Sequence, residues 1–258
     1  MFKLKGFSKF GLLILVLLLG IACSKPPPSR HYYMIDYVPR KVKLEGSGRP
    51  YPFKVQLKPF EVLRMYDRSQ IVFRYSPNEL KYYHYKNWAI KPGDMIMDRV
   101  EAHLVSANLF SEIHREFLDY RPDYRIEGTV KALEKYEGGD IYFAHLAMTF
   151  KLIRQEDRKE IWRYAFDERK KVYEPDMVYT VKALSEILET QMTHVIEALD
   201  RIFQGITGQT GKGPSVVPQD SLGVRETVPE EEVAPVPKRY QKIPAKRDTV
   251  HVEPSPPQ

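Results

Sequence analysis

The 258-residue sequence predicts an α+β fold, a mainly antiparallel sheet carrying two principal helices. Three observations predict it. Across residues 123–166, apolar and polar side chains alternate in three runs joined by short polar links, the pattern of an antiparallel meander. Ile96, Val100, Leu104 and Ala107 recur at spacings of four, four and three, one face of a helix. Met177, Val181, Leu184 and Leu188 begin a second and longer stripe that continues to Ile206.

The elements follow in order. Residues 31–37, HYYMIDY, are aromatic-rich and flanked by prolines, so a strand is expected. Residues 41–52 contain Gly46, Ser47, Gly48 and Pro50 and read as a loop. Phe53, Val55 and Leu57 alternate with Lys54, Gln56 and Lys58, marking a half-buried strand. Residues 71–75 and 80–85 are apolar and aromatic, and Pro77-Asn78 between them signals a hairpin. Pro92 suits the first turn of a helix, which the pattern ends near Asn108 with His103 off its apolar face. In the meander, Tyr124, Ile126, Val130 and Ala132 are expected on one face, and Gly138-Gly139 as the tight turn that follows. Pro175 opens the last helix, widened by Val178, Ile187, Ile196 and Phe203 and stopped by Gly205, about 28 residues and roughly 42 Å long.

The two ends of the chain complete the reading. Lys3, Lys5 and Lys9 precede an apolar run from Phe10 to Ala22, followed at once by Cys23, the one cysteine of the sequence. That run of 13 residues is too short for a bilayer span, which takes about 20, and has the anatomy of an export signal. Leu19-Gly20-Ile21-Ala22-Cys23 is similar to a bacterial lipobox, departing from it at Gly20, where a leucine is usual. The expectation is a signal over residues 1–22 and a lipid-anchored N-terminus at an acylated Cys23. A proline-rich linker over 23–30 and a folded domain over 31–206 follow. Three consecutive prolines favour a stiff, extended spacer of roughly 20 Å. The last 54 residues hold nine prolines and a single aromatic, Tyr240, so residues 207–258 are expected to be a disordered C-terminal tail. Its seven basic and seven acidic residues cancel. Both a tethered segment that folds on a partner and an inert solubilising tail fit that composition.

The chain's formal charge is +6; removing the three lysines of the signal and the neutral tail leaves +3 for the domain. That makes no case for nucleic acid as a partner, and export argues against one. Chemistry is sparse. The seven histidines lack metal-ligand spacing, and an acylated Cys23 is no nucleophile. No phosphate loop, dinucleotide fingerprint or Gly-x-Ser-x-Gly occurs. Asp94 and Asp98, one turn apart, fit either a cation or, more simply, the positive helix end. No enzyme, cofactor or metal is expected.

Residues 66–96 are the most distinctive, with Arg68, Arg74, Tyr82, Tyr83, Tyr85 and Trp88 close together. Arginine and aromatic clusters favour interface hot spots. A hairpin has two faces, so half of these side chains are equally expected in the core. A partner interface of Arg68, Arg74, Tyr83, Tyr85 and Trp88 is the expectation. The lipobox, YYMIDY and DRSQIVFRYSPNELKYYHYKNWAIKPGDMI together resemble the ABC-type transport auxiliary lipoprotein family. Arg68, Gln70, Ile71, Val72 and Arg74 match its Arg-x-Gln-Ile-Val-x-Arg pattern, and Tyr82, Tyr83, Trp88 and Ala89 its aromatic strand and Trp-Ala pair. The similarity spans residues 31–203.

The resemblance implies a non-enzymatic periplasmic domain tethered to the outer membrane, as does Ser24 in place of a retention aspartate. It also implies work with an ABC permease and ATPase and a mammalian-cell-entry (MCE) type protein, moving lipids between membranes. A homo-oligomer is compatible with the long apolar stripe. The alternative is a generic envelope lipoprotein adaptor in outer-membrane assembly.

Overall fold

A computed structural model of the chain describes residues 28–44, 48–118, 120–139 and 141–209. The expected signal, Cys23 and the tail from residue 210 onward lie outside the described residues. The elements are β1 (His31–Tyr33), β2 (Tyr51–Leu57), β3 (Glu61–Val62), β4 (Gln70–Ser76) and β5 (Glu79–Trp88). They continue with α1 (Pro92–Ala107), β6 (Phe110–His114), β7 (Tyr124–Gly138), β8 (Ile141–Arg154), β9 (Glu160–Val172) and α2 (Met177–Gln209).

Everything is built around β7, a strand of 15 residues. One edge pairs antiparallel with β8 along its whole length, and β8 pairs antiparallel with β9. The other edge takes three short strands in series, all parallel: β2 beside residues 124–126, β3 beside 129–130 and β4 beside 134–136. β1 joins β5, and β6 joins β2, also in parallel. The three longest pairings, β7–β8, β8–β9 and β4–β5, are antiparallel as the pattern suggested, but the five shorter ones are parallel, so the sheet is mixed. Alternation reports which face is buried and is silent on strand direction. The parallel pairings need a long crossover, which the segment containing α1 supplies between β4–β5 and β7.

A bulge in β7 decides where its charges go. Val130 pairs with Met148 but Ala132 with Ala147, so one extra residue enters between them. Val130 and Ala132, expected on one face, end on opposite faces. Leu133 and Lys135 move to the face that Val130 occupies, and Glu134 to the other.

α2 lies across β8 and β9, with α1 beside it against β3. α1 begins with Pro92 in its first turn and ends at Asn108, whose φ of 50° is the left-handed cap that stops a helix. Met95, Ile96, Val100 and Leu104 are buried beneath it. So is His103, against expectation: the Tyr37 hydroxyl sits 3.3 Å from its Nδ1, and burial lowers its pKa. α2 runs through Gly205 to Gln209, 33 residues or roughly 50 Å. Gly205 was expected to end it and does not, and residues 207–209 belong to the helix rather than the tail. Nothing crowds this glycine, and the preceding turns are held by the buried Leu199 and Phe203. Ile187, Ile196 and Phe203 are buried as expected, whereas Val178 is exposed. Residues 34–37 leave β1 and cross onto the helices, so the first strand is shorter than the aromatic run.

Candidate functional site

The distinctive stretch forms the hairpin β4–β5, turning at Pro77-Asn78. Its base is tied into the fold. Trp88 is 2% exposed and packs in the core, its backbone N–H donating to the Ser69 carbonyl at 2.6 Å. The next N–H, of Ala89, donates to the Tyr33 carbonyl at 2.8 Å and so fastens β1 to β5. The aromatic start of the domain and the Trp-Ala pair, distant in sequence, thus meet on one sheet edge.

Arg74 turns inward. Its Nε donates to Glu134 Oε2 at 2.6 Å, its Nη1 to the Pro77 carbonyl at 3.0 Å and its Nη2 to the Tyr66 hydroxyl at 3.3 Å. Glu134, 2% exposed, also accepts from the Tyr66 hydroxyl at 2.7 Å. Its other oxygen lies 3.0 Å from His145 Nδ1, and His145 Nε2 lies 2.8 Å from Asp167 Oδ1. The chain of contacts crosses β4, β7, β8 and β9 and reaches water at Asp167, whose side chain is 67% exposed. Carboxylates accept only, so both histidine bonds form together when both ring nitrogens carry hydrogen. Burial pushes the Glu134 carboxyl up, but hydrogen bonds from His145, Tyr66 and Arg74 outweigh it and leave the pKa below the ordinary value. Burial raises Tyr66 to about 12; Arg74 opposes that rise and Glu134 adds to it. Through its two ring nitrogens His145 bridges Glu134 on β7 and Asp167 on β9 and so ties these strands together.

The opposite face carries a second network. Tyr83 stacks on Phe73 at 4.2 Å between centroids, and its hydroxyl donates to Glu137. Burial, then Glu137, push the phenol pKa well up. Glu137 pairs with Lys135 Nζ at 3.0 Å, which donates to the Pro175 carbonyl at 2.7 Å just before α2. Lys135 is 1% exposed, and burial lowers its pKa although Glu137 opposes the shift.

What the hairpin shows to solvent is an open concavity of about 600 Å³, walled by Phe73, Leu80, Tyr82, Tyr83, Tyr85 and Lys86. Arg68 is exposed and lies 4.0 Å from the Tyr82 ring centroid. Lys86 Nζ lies 4.6 Å from that of Tyr83. Of the five residues expected at an interface, Arg68, Tyr83 and Tyr85 therefore border this concavity or its flank. Arg74 and Trp88 are spent on the fold. Glu134, Tyr66 and His145 carried no sequence signal; the bulge alone brings Glu134 to the arginine.

Among the described residues no group of three His, Cys, Asp or Glu side chains is disposed to hold a metal ion. Asp98 accepts from Arg115 at 2.6 Å. No described helix is long and apolar enough to cross a membrane.

A mixed sheet carrying two helices, with an aromatic hairpin on one side, defines an α+β domain. The chain belongs to the ABC-type transport auxiliary lipoprotein component family, whose profile matches residues 33–195. A crystal structure of a Xanthomonas campestris protein shares the fold with a TM-score of 0.56 at 20% identity, covering 67% of this chain and 98% of that one. An uncharacterised protein gives 0.52 at 14% identity, over 67% and 99% of the two chains. A Neisseria meningitidis lipoprotein aligns over 54% of this chain and 97% of its own at 10% identity, with a TM-score of 0.34. No curated protein matches the sequence.

Proposed function

We propose that this protein is a non-enzymatic lipoprotein, acylated at Cys23 and held on the periplasmic side of the outer membrane. There it serves an ABC transporter and its MCE-type partner in moving lipid between membranes. The family match over residues 33–195 carries this reading. The Cys23 lipobox supports the anchor, and the exposed aromatic concavity supports docking of a protein partner through Arg68, Tyr83 and Tyr85. Aromatic rings with an arginine at their rim supply large contact area at low entropic cost.

The test is purification of the intact protein from detergent-solubilised envelopes, with identification of what accompanies it. The expected result is recovery of permease, ATPase and MCE-type subunits, reduced by Arg68→Glu with Tyr85→Ala. Recovery of outer-membrane assembly proteins alone, unaffected by those substitutions, overturns the reading.

A further inference from the structure

The free edge of the aromatic hairpin lies beside the point where the chain enters the domain. β1 is the outermost strand on that side of the sheet and pairs with β5 only at residues 86–88. Before Lys86, no described strand covers the outer edge of β5. Every residue from Leu80 to Lys86 borders the concavity. One face of a strand would contribute alternate residues only, so the concavity follows the edge. The stacked rings of Phe73 and Tyr83 line it, and Tyr85 beside them is 46% exposed.

The direction of β1 decides where the preceding residues lead. β1 runs parallel to β5, with His31 beside Lys86 and Tyr33 beside Trp88. Traced back from His31, the chain therefore heads along the same edge toward Tyr85 and Leu80. The ladder itself stops at His31, since Pro28, Ser29 and Arg30 are exposed and outside any strand. Pro26, Pro27 and Pro28 have no N–H with which to extend it. Pro27 and Pro26 stand four and five residues before His31, roughly 12 and 16 Å away in a polyproline II helix. Leu80 stands six residues before Lys86, at most about 20 Å along the strand. The two prolines thus reach the middle and far parts of the concavity, and Pro28 to Arg30 form the lead between ladder and seat.

The chemistry of the two surfaces matches. Aromatic-lined grooves take polyproline segments, whose preformed helix loses little entropy on docking. Lys25 and Arg30 in the linker and Lys81 and Lys86 at the concavity share one sign, so the rings and not the charges make the contact. Held on so short a tether, the segment has an effective concentration on the order of mM, enough to populate a contact too weak for a free peptide.

We propose that Pro26 and Pro27 seat in the concavity against Tyr83 and Tyr85, so that the chain's own linker covers the hairpin until a partner displaces it. The cover requires only the junction at His31. Its role as a competitor rests on the docking of a partner proposed above.

The test compares the full-length acylated protein with a variant carrying Pro26→Ser, Pro27→Ser and Pro28→Ser, a flexible linker of unchanged length. Trifluoromethylphenylalanine is introduced in place of Tyr85 or, as control, of Leu118, which is 91% exposed and follows β6 at the other end of the sheet. Fluorine relaxation is read with a soluble gadolinium chelate. The enhancement at 85 is expected to rise severalfold with the serine linker, while that at 118 stays constant. Raising the salt should leave the shielding at 85 in place. Equal enhancement at 85 in the two proteins overturns the cover, whether the site is open in both or shielded in both by a second copy. Recovery of partner subunits separates the two readings. With the docking correct, the serine linker raises recovery severalfold. Relief at 85 with unchanged recovery keeps the cover and overturns docking at this concavity.

Discussion

The end of α2 and the hairpin β4–β5 use the same residue types to opposite ends. Under α2, Phe203 is fully buried, with the rings of Phe110 and Tyr124 both 4.9 Å away and Phe53 at 5.4 Å. Those aromatics close on one another. In the hairpin, Phe73 and Tyr83 stack, yet Tyr85 beside them is 46% exposed and the concavity stays open. The fold-holding contacts of the hairpin lie at Trp88 and Arg74, on residues that alternate with the exposed ones. Stability and the proposed docking are therefore separable by substitution within one strand pair, and the following experiments grade that separation.

Phe203→Ala carries the largest expected effect. Emptying that ring cluster is expected to cost about 4 kcal/mol in denaturant unfolding. A loss below about 1 kcal/mol would mean that the α2 end is not part of the core. Glu134→Ala comes next, at about 3 kcal/mol, because it strands the Arg74 guanidinium and the Tyr66 hydroxyl together. The same change should weaken partner recovery only in proportion to unfolded protein.

Glu134 also predicts a pH dependence. Its folded pKa lies below the ordinary carboxylate value of 4.5, so the folded state binds its proton less tightly than the unfolded one. The stability it supplies is present above that ordinary value and is lost as pH falls through the lower folded value. A Glu134→Gln variant should therefore differ most from the parent near neutral pH, and the two curves should converge in acid. Melting curves that stay parallel at all pH would remove the carboxylate from the account.

Smaller effects belong to the hairpin surface. Tyr83→Phe removes one hydroxyl donor to Glu137 and is expected to cost about 1 kcal/mol. Arg68→Ala and Tyr85→Ala should stay within about 0.5 kcal/mol of the parent while reducing partner recovery. If Tyr85→Ala unfolds the domain, the proposed division between base and surface fails. Deleting residues 213–258 should leave the melting temperature unchanged, which scanning calorimetry would read directly.

Much of the secondary structure was legible because periodicity is a local property. Pro92 and Asn108 bracket α1, Pro77-Asn78 turns the hairpin, and the three runs of the meander appear as β7, β8 and β9. β6 was not legible: Phe110, Ser111, Glu112, Ile113 and His114 form too short and mixed a run to stand out. The division of the hairpin between buried and exposed side chains was half legible. Composition marked the hairpin, but a two-residue period cannot say which side of a sheet the rest of the molecule will cover.

What the sequence alone determined is the set of faces: which side chains of each helix and strand are apolar, where the chain turns, and that a lone Cys23 follows an export-type run. The tertiary structure decided strand direction, because pairing partners are chosen by crossovers and not by alternation. It also decided the fate of the charges. One inserted residue between Val130 and Ala132 reverses the faces of β7 beyond it, sending Glu134 to Arg74 and His145, and Lys135 to Glu137. No local pattern encodes that exchange, because its advantage exists only once four strands have brought the partners within hydrogen-bonding distance.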